Sequence, residues 1–378
     1  MRNIILLGLT SFLTDVSSEM VYPLIPIFLT STLGASPAVL GMIEGIAESI
    51  ASLLKVGSGY ISDRLNNRKG LTIIGYASSA CGKALLYVST TWGTVLAGRA
   101  IDRLGKGIRT APRDAIIVES SSHGKRGMAF GLHRMLDTAG AAVGVIFAYL
   151  ILVQSSSKYS TIFLLSLIPA ILGILFLAFV RETKRSLSGT KELPQLKWNV
   201  LPRKLRLFLS VAALFTLGNS SNAFLLLRAN ELTHSTPATL LYYLLYNLVY
   251  GLISLPAGRL SDKIGRKSVL IAGYLSYALV YGGFAISMDR GWMMWALFGL
   301  YGIYSGITDG IEKALISDLA PADLRATALG LHATICGIGL FPASLLAGIL
   351  WQQFGPAYAF AFGGSMGVIA ALGLAMVL

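Results

Sequence analysis

Residues 98–114 read GRAIDRLGKGIRTAPRD, and seven of the seventeen are charged: Arg99, Asp102, Arg103, Lys106, Arg109, Arg113 and Asp114. The chain as a whole is only 13% charged. Guanidinium and carboxylate groups at this density can bind an anion, hold a proton carrier, or neutralise one another. Asp15 and Glu19 add two carboxylates four residues apart, on one face of a helix. In a low-dielectric cavity they repel, which favours a proton on one of them, as a proton carrier requires. Arg103 is the natural opposing charge: it holds the deprotonated carboxylate until substrate or a proton releases it. Arg109 and Arg113 lie one turn apart, and paired guanidinium forks suit a carboxylate or phosphate. The alternative is that they pair with Glu44, Glu48 or Asp137 on neighbouring helices. The expected proton-coupling residues are therefore Asp15, Glu19 and Arg103. The expected substrate-binding residues are Arg109, Arg113, Glu44, Glu48, Arg134, Asp137, Asn219, Asn222 and Asp309. No nucleophile–base constellation suggests an enzyme, and no cofactor is expected. His133 and His332 lack nearby cysteines and read as polar packing residues rather than metal ligands. Cys81 and Cys336 read as small buried fillers. The GKG within the charged stretch lacks the frame of a phosphate loop.

Such charge is unusual because of where it sits. The chain is 54% hydrophobic with a mean hydropathy of +0.67, far from the soluble range. Apolar segments of 18 or more residues read as membrane spans. Twelve are expected, at about 4–31, 37–61, 70–90, 92–118, 127–153, 159–180, 206–230, 237–258, 268–288, 292–317, 326–352 and 357–378. The first apolar run is too long for a cleavable signal peptide. One alternate set of loops carries nearly all the Lys and Arg, including Arg64, Arg68, Lys125, Arg185, Arg259 and Arg325. The opposite set holds Lys158 and Arg290. Both termini are therefore expected in the cytoplasm, in an inner or plasma membrane. The net charge of +13 is a topology signal, and nucleic acid is not an expected partner. The expected partners are a small-molecule substrate, protons and membrane lipid, and the expected state is a monomer.

The chain repeats itself. GYISD at 59–63 recurs as GRLSD at 258–262, an offset of 199. The same offset brings Tyr76 near Tyr274 and pairs Arg126 with Arg325, and GLH at 131–133 with GLH at 330–332. Three parts follow: a six-helix half over 1–180, a basic cytoplasmic linker over 181–205, and a second six-helix half over 206–378. Parallel repeats of this kind place a substrate site near the bilayer midplane. The counterpart of the charged stretch, LFGLYGIYSGITDGIEK at 297–313, is far more apolar and reads as a span. Residues 98–114 are then helical too; removing that helix would also reverse the Lys/Arg bias of every later loop. At 100° per residue the seven charges fall within an arc of about 140°. A charge at mid-bilayer costs roughly 2.5–3.5 kcal/mol, so seven unpaired charges would cost on the order of 20 kcal/mol. The fourth helix must line a polar cavity. Spans 3, 6, 9 and 12 carry at most one interior charge, Lys83 in span 3, and are expected to face lipid.

Twelve spans in two parallel halves, with GYISDRLNNRK at 59–69 between spans 2 and 3, resemble the major facilitator superfamily. Its signature there is G-x-x-x-D-R-x-G-R-R/K. Gly59, Asp63, Arg64, Arg68 and Lys69 match, and Asn66 replaces the internal glycine. The second copy, GRLSDKIGRK, keeps Gly258, Asp262, Gly265, Arg266 and Lys267. Arg103 and Gly107 match the R-x-x-x-G of span 4. The resemblance implies an all-α membrane fold of twelve helices in two pseudo-symmetric halves, and alternating access with helices 1, 4, 7 and 10 lining the cavity. It implies a secondary active transporter, and proton-coupled export of a small organic molecule is the leading expectation. Exporters of the family often carry G-x-x-x-G-P in span 5. Here Gly140 and Gly144 are present without the proline, Ala141 following Gly140. Proton-linked import of an organic anion is the chief alternative, and a membrane receptor the third.

The gating residues expected from these motifs are Gly59, Asp63, Arg64, Arg68, Asp262 and Arg266, with each aspartate beside a helix N-terminus whose dipole favours an anion. The repeat adds Asp114, Glu312 and Lys313. Arg113 corresponds to Glu312 and Asp114 to Lys313, with exchanged signs. Such positions face each other across the pseudo-twofold axis, where they would help close a cytoplasmic gate. The alternative is that each neutralises its neighbour within its own half.

Overall fold

A computed structural model describes residues 2–65, 67–121, 126–154, 159–182, 201–287, 291–321 and 324–377. The described residues form twelve long helical segments and no strand. They are α1 (Arg2–Thr32), α2 (Pro37–Leu65), α3 (Arg68–Tyr87), α4 (Trp92–Ser120), α5 (Arg126–Gln154) and α6 (Tyr159–Ala178). The series continues with α7 (Arg203–Thr233), α8 (Thr236–Ile264), α9 (Arg266–Ile286), α10 (Gly291–Leu319), α11 (Arg325–Phe354) and α12 (Pro356–Val377). Eight are long and apolar enough to cross a membrane on length and composition alone; α2, α3, α4 and α10 are the others. In hydrocarbon every backbone group must be satisfied within the segment, which is why the apolar runs among the described residues are helical. Most of the basic linker expected at 181–205, and loop residues Lys125, Lys158 and Arg290, lie outside the described residues.

The helices divide into two compact units, Met1–Leu33 with Ile46–Leu193, and Gly34–Gly45 with Pro194–Leu378. The first turns of α2, with Glu44, therefore count with the second unit. Within the first unit α1 packs on α5 and α6, and α3 packs on α4 and α6. Within the second, α7 packs on α11 and α12, and α9 packs on α10 and α12. The same pairings recur one repeat later.

Three local features set up the sites. First, α3 and α4 touch through glycines. A Cβ at Gly75 would come within 2.6 Å of Arg109 Cβ, and one at Gly82 within 2.7 Å of the Asp102 amide nitrogen. Small residues let membrane helices approach to backbone contact, and this brings Lys83 and Ser79 against the charged face of α4. Second, α7 is interrupted at Asn219–Asn222, between Arg203–Gly218 and Ala223–Thr233. Asn and Ser side chains compete for backbone hydrogen bonds and break the helix there. The freed Gly218 carbonyl accepts a hydrogen bond from the Tyr277 hydroxyl at 2.7 Å. Third, the core of the second unit is aromatic: Phe215 stacks on Tyr274 at 4.3 Å and Tyr277 on Tyr281 at 4.1 Å between ring centroids.

Candidate functional site

The charged face of α4 lines a cavity of about 40 Å³ inside the first unit. Arg99, Asp102, Arg103, Lys106 and Arg109 come from α4, Asp15, Glu19 and Tyr22 from α1, and Lys83 from α3. The structure thus brings Asp15, Glu19, Arg103 and Arg109 to one wall. Arg113 and Asp114, the other two charges of the opening stretch, lie outside it and bind each other, with Nη2 donating to Oδ1 at 2.9 Å.

The network inside the cavity differs from the expected one. Arg103 Nη2 lies 2.8 Å from Glu48 Oε1 of α2, so Glu48 is an ion-pair partner of Arg103, where Asp15 or Glu19 was expected. Arg99 reaches the same carboxylate at 4.0 Å and Asp102 at 3.7 Å. Both guanidinium groups also sit over the Tyr22 ring, at 5.3 and 5.7 Å from its centroid. Arg109 does not pair with Glu44, Glu48 or Asp137 among the described ion pairs. It donates to Ser79 Oγ and lies 4.4 Å over the Tyr76 ring. Ser79 in turn donates to the Asp102 carbonyl at 3.1 Å. Helix spacing alone could not distinguish these partners, because they come from α2 and α3.

Lys83 is the residue that sequence pattern missed. A single lysine in an otherwise uncharged span suggested a lipid-facing helix. Instead Lys83 is 2% exposed, lines the cavity, and its Nζ has no hydrogen-bond partner among the described residues. The signal was present in the glycines, since Gly75 and Gly82 mark the face of α3 that meets α4. Cys81, expected to be buried, is exposed.

The other expected substrate residues lie elsewhere. Asp137 pairs with His133 on α5, Oδ2 to Nδ1 at 3.4 Å, and Arg134 is exposed. In the second unit Glu44 is fully buried and accepts from Ser221 Oγ at 3.3 Å. Asn222 accepts from the Tyr301 hydroxyl at 2.7 Å. Asn219 sits at the break in α7, with its amide bonded to the Phe215 and Thr216 carbonyls. Asp309 accepts from the Tyr250 hydroxyl and from Lys313, at 2.8 and 2.7 Å. Glu312 accepts from the Tyr274 hydroxyl at 3.0 Å and lies 3.5 Å from His332 Nε2. A thiol also adjoins His332: Cys336 Sγ is 3.5 Å from the same nitrogen, so the expectation of histidines without nearby cysteine is corrected there. Arg113 with Asp114 and Lys313 with Asp309 therefore make contacts within their own helices in this conformation.

The signature loops are tied down in the same way in both units. Arg68 pairs with Glu119 at the end of α4, and Arg266 Nε lies 2.7 Å from Asp318 Oδ2 at the end of α10. Neither carboxylate had been singled out by motif. Lys69 Nζ donates to the Ala178 carbonyl at 2.7 Å and Lys267 Nζ to Ala375 at 2.9 Å, each capping the C-terminus of α6 or α12. Glu182 accepts from the Arg68 and Lys69 amides at the start of α3, at 2.6 and 3.3 Å, where the dipole favours an anion. Asp262 is exposed and 3.7 Å from Arg266, and Arg64 is exposed. Asp63 lies in α2, with its side chain outside the described residues. A Cβ at Gly59 would make only an ordinary contact, 3.5 Å from Ala111, so packing does not demand glycine there. Because Arg266 and Asp318 are both partly exposed, Arg266→Ala is expected to cost at most about 1 kcal/mol of stability. The swap Arg266→Asp with Asp318→Arg should restore most of the stability that either single reversal loses. Melting curves on the two single variants and the double variant check this, and a double variant no better than either single one counts against the pair.

The profile of the Major Facilitator Superfamily matches residues 7–229 and 207–378. An uncharacterised MFS-type transporter of Methanocaldococcus jannaschii is 41% identical over 377 residues, 98% of this chain and 94% of that protein. A multi-drug resistance efflux pump PmrA homologue of Lactococcus lactis is 33% identical over 125 residues, 33% of this chain and 30% of that one. Among solved structures, the nucleoside transporter NupG superposes with a TM-score of 0.83 at 13% identity, covering 100% of this chain and 99% of that one. The chain belongs to the major facilitator superfamily and is an integral membrane protein with the fold of its transporters.

Proposed function

We propose that this chain is a proton-coupled secondary transporter of a small organic molecule, working by alternating access as a monomer in an inner or plasma membrane with both termini in the cytoplasm. The two six-helix halves over 1–180 and 206–378, joined by the basic linker, act as its moving bodies. Arg68 and Arg266 and their loops serve as gating elements, and the sign-exchanged positions 113/312 and 114/313 are candidates for a pairing made in another state. The observation that carries this reading is the cavity in the first unit, where Asp15 and Glu19 share a wall with five cations. Ionisable groups at membrane depth are costly and are retained for ion or substrate pathways.

The sign of the charge chooses between the two expected modes. A cationic substrate would compete with protons for Asp15 and Glu19, which is exchange and suits export. An anionic substrate binds the lining cations more strongly once those carboxylates are protonated, which is cotransport. Five cations against three carboxylates in the lining favour the second, proton-linked uptake of an organic anion. Export by proton exchange is the second reading, supported by the efflux pump that matches a third of the chain.

Proteoliposomes enclosing a pH-sensitive dye test this. Addition of a transported organic carboxylate outside should acidify the lumen, and Asp15→Asn combined with Glu19→Gln should reduce that proton movement at least tenfold. If the double variant moves protons with substrate as the parent does, the proton-coupling role is wrong. Proton movement in the opposite direction, driven by a lipophilic cation, would establish the exchange reading instead.

A further inference from the structure

The cavity holds a buried ammonium that Asp102 attracts but that donates no hydrogen bond to any described residue. Arg99 meets Asp102 and Glu48, Arg103 holds Glu48, and Arg109 is fixed by Ser79 and Tyr76. Lys83 Nζ, on a side chain 2% exposed, has no hydrogen-bond partner among the described residues and faces the cavity. A buried ammonium has three donors to satisfy, and leaving them unmade costs far more than the lost bonds themselves.

The repeat shows that the fold does not require this lysine. Arg68 and Lys69 at the start of α3 align with Arg266 and Lys267 at the start of α9, an offset of 198 on this helix that carries Lys83 to Tyr281; on the next helix the offset is again 199, which carries Asp102 to Tyr301 and Arg99 to Phe298. The second unit packs these positions as an aromatic cluster, with Tyr281 and Tyr301 6.4 Å apart between centroids. A charge with a purely architectural task would be expected in both halves of a duplicated fold. Its presence where it lines the cavity, with an aromatic residue at the matching position of the other half, points to a ligand.

We propose that Lys83 is the anchor for the anionic group of the substrate, a carboxylate or phosphate, with Lys106 as the second cation of the subsite. This rests on the transport reading above and deepens it by naming the recognised chemistry and the origin of coupling. The groups facing Lys83 define that origin. From α1 come Asp15 and Glu19, and from α4 come Asp102, which Arg99 shares with Lys83, and the cations Arg103, Lys106 and Arg109. Glu48 of α2 is held by Arg103, and Asp137 of α5 by His133. Counting Glu48, the cavity has one more cation than carboxylate when all groups are ionised, and three more when Asp15 and Glu19 carry protons. Anion and proton therefore favour each other's binding at one site, a coupling that is reciprocal by necessity.

The test is thermal stabilisation of the purified full-length protein by benzoate, citrate or inorganic phosphate, at two pH values about two units apart. Binding to the folded state raises the melting temperature. At least one probe should stabilise, with an apparent affinity that rises toward low pH by up to about tenfold per pH unit for each proton taken up. Lys83→Gln should weaken that affinity at least about tenfold, and Lys83→Arg should keep most of it. Should Lys83→Gln not fold, Lys106→Gln carries the same comparison. The proposal is overturned if none of the three anions stabilises the parent, or if Lys83→Gln binds as the parent does. It is also overturned if Lys83→Gln only lowers the melting temperature of the ligand-free protein and Asp102→Asn restores it, which would make Lys83 a structural counter-ion of Asp102. The transport reading fails separately, in the proteoliposome assay: proton movement that needs Asp15 and Glu19 but is indifferent to Lys83 rejects the anchor and keeps the transporter.

Discussion

Replacing Gly105 by leucine is expected to abolish recovery of folded protein. A Cβ at this position would collide with the Gly75 carbonyl and stand 2.8 Å from the Ser79 amide nitrogen. The obstacle is backbone on the facing helix, so no rotamer relieves it and α3 must move off α4. Overpacking in a relaxed core costs about 1–3 kcal/mol; a collision with the backbone of the facing helix falls in the exceptional range above about 4 kcal/mol. The effect is large because the same contact seats Lys83, Ser79 and Asp102 around the cavity. Size-exclusion profiles and melting curves in detergent measure it. Gly258→Ala is the matched control: nothing lies within 4 Å of a Cβ there, and alanine is the better helix former by up to about 1 kcal/mol. Its melting temperature should equal or exceed that of the parent. A Gly105→Leu protein that melts like the control would mean that α3 and α4 do not touch as described.

Arg103→Ala is expected to remove both transport and a sizeable part of the stability. It strips Glu48 of its 2.8 Å partner and leaves Arg99, at 4.0 Å, as its ion-pair partner among the described residues. Orphaning one member of a buried pair typically costs about 3–5 kcal/mol; Glu48 keeps 30% of its side-chain exposure, so about 2–3 kcal/mol is the expected loss. Adding Glu48→Gln to Arg103→Ala removes the stranded charge and should return more than half of that stability. Transport should stay at least a hundredfold down in both, since the cavity wall remains incomplete. Melting curves and uptake on the single and double variants separate the two effects. A single variant as stable as the parent would show that Glu48 is solvated well enough to do without Arg103, and the ion pair would lose its structural role.

Much of the architecture is legible in the residues because hydrocarbon imposes simple rules. Apolar runs of fixed length, the Lys/Arg loop bias and an internal repeat lead directly to twelve helices and two halves. The seven charges at 98–114 had to share a helical face, and five of them line one cavity. The signature motifs pointed to Arg68 and Arg266, though not to Glu119 and Asp318, because neither carboxylate belongs to a motif and both reach their arginines only through folding.

Partner choice is where one-dimensional reasoning ends. Charge spacing on α4 said that Arg103 and Arg109 face a polar space, and nothing in the spacing distinguished Glu48 from Asp15 or Ser79 as what they meet. Lys83 shows the reason most clearly. By composition its helix is nearly uncharged and reads as lipid-facing, but the glycines of α3 and α4 rotate that lysine inward against the charged face. The sequence by itself determined the solvent of this protein, the number and order of its helices, and which helix carries the charge, because those follow from transfer free energies summed along the chain. Only the tertiary structure decided which charges are spent on one another and that Lys83 joins the cavity wall, because that depends on close contacts between helices distant in sequence.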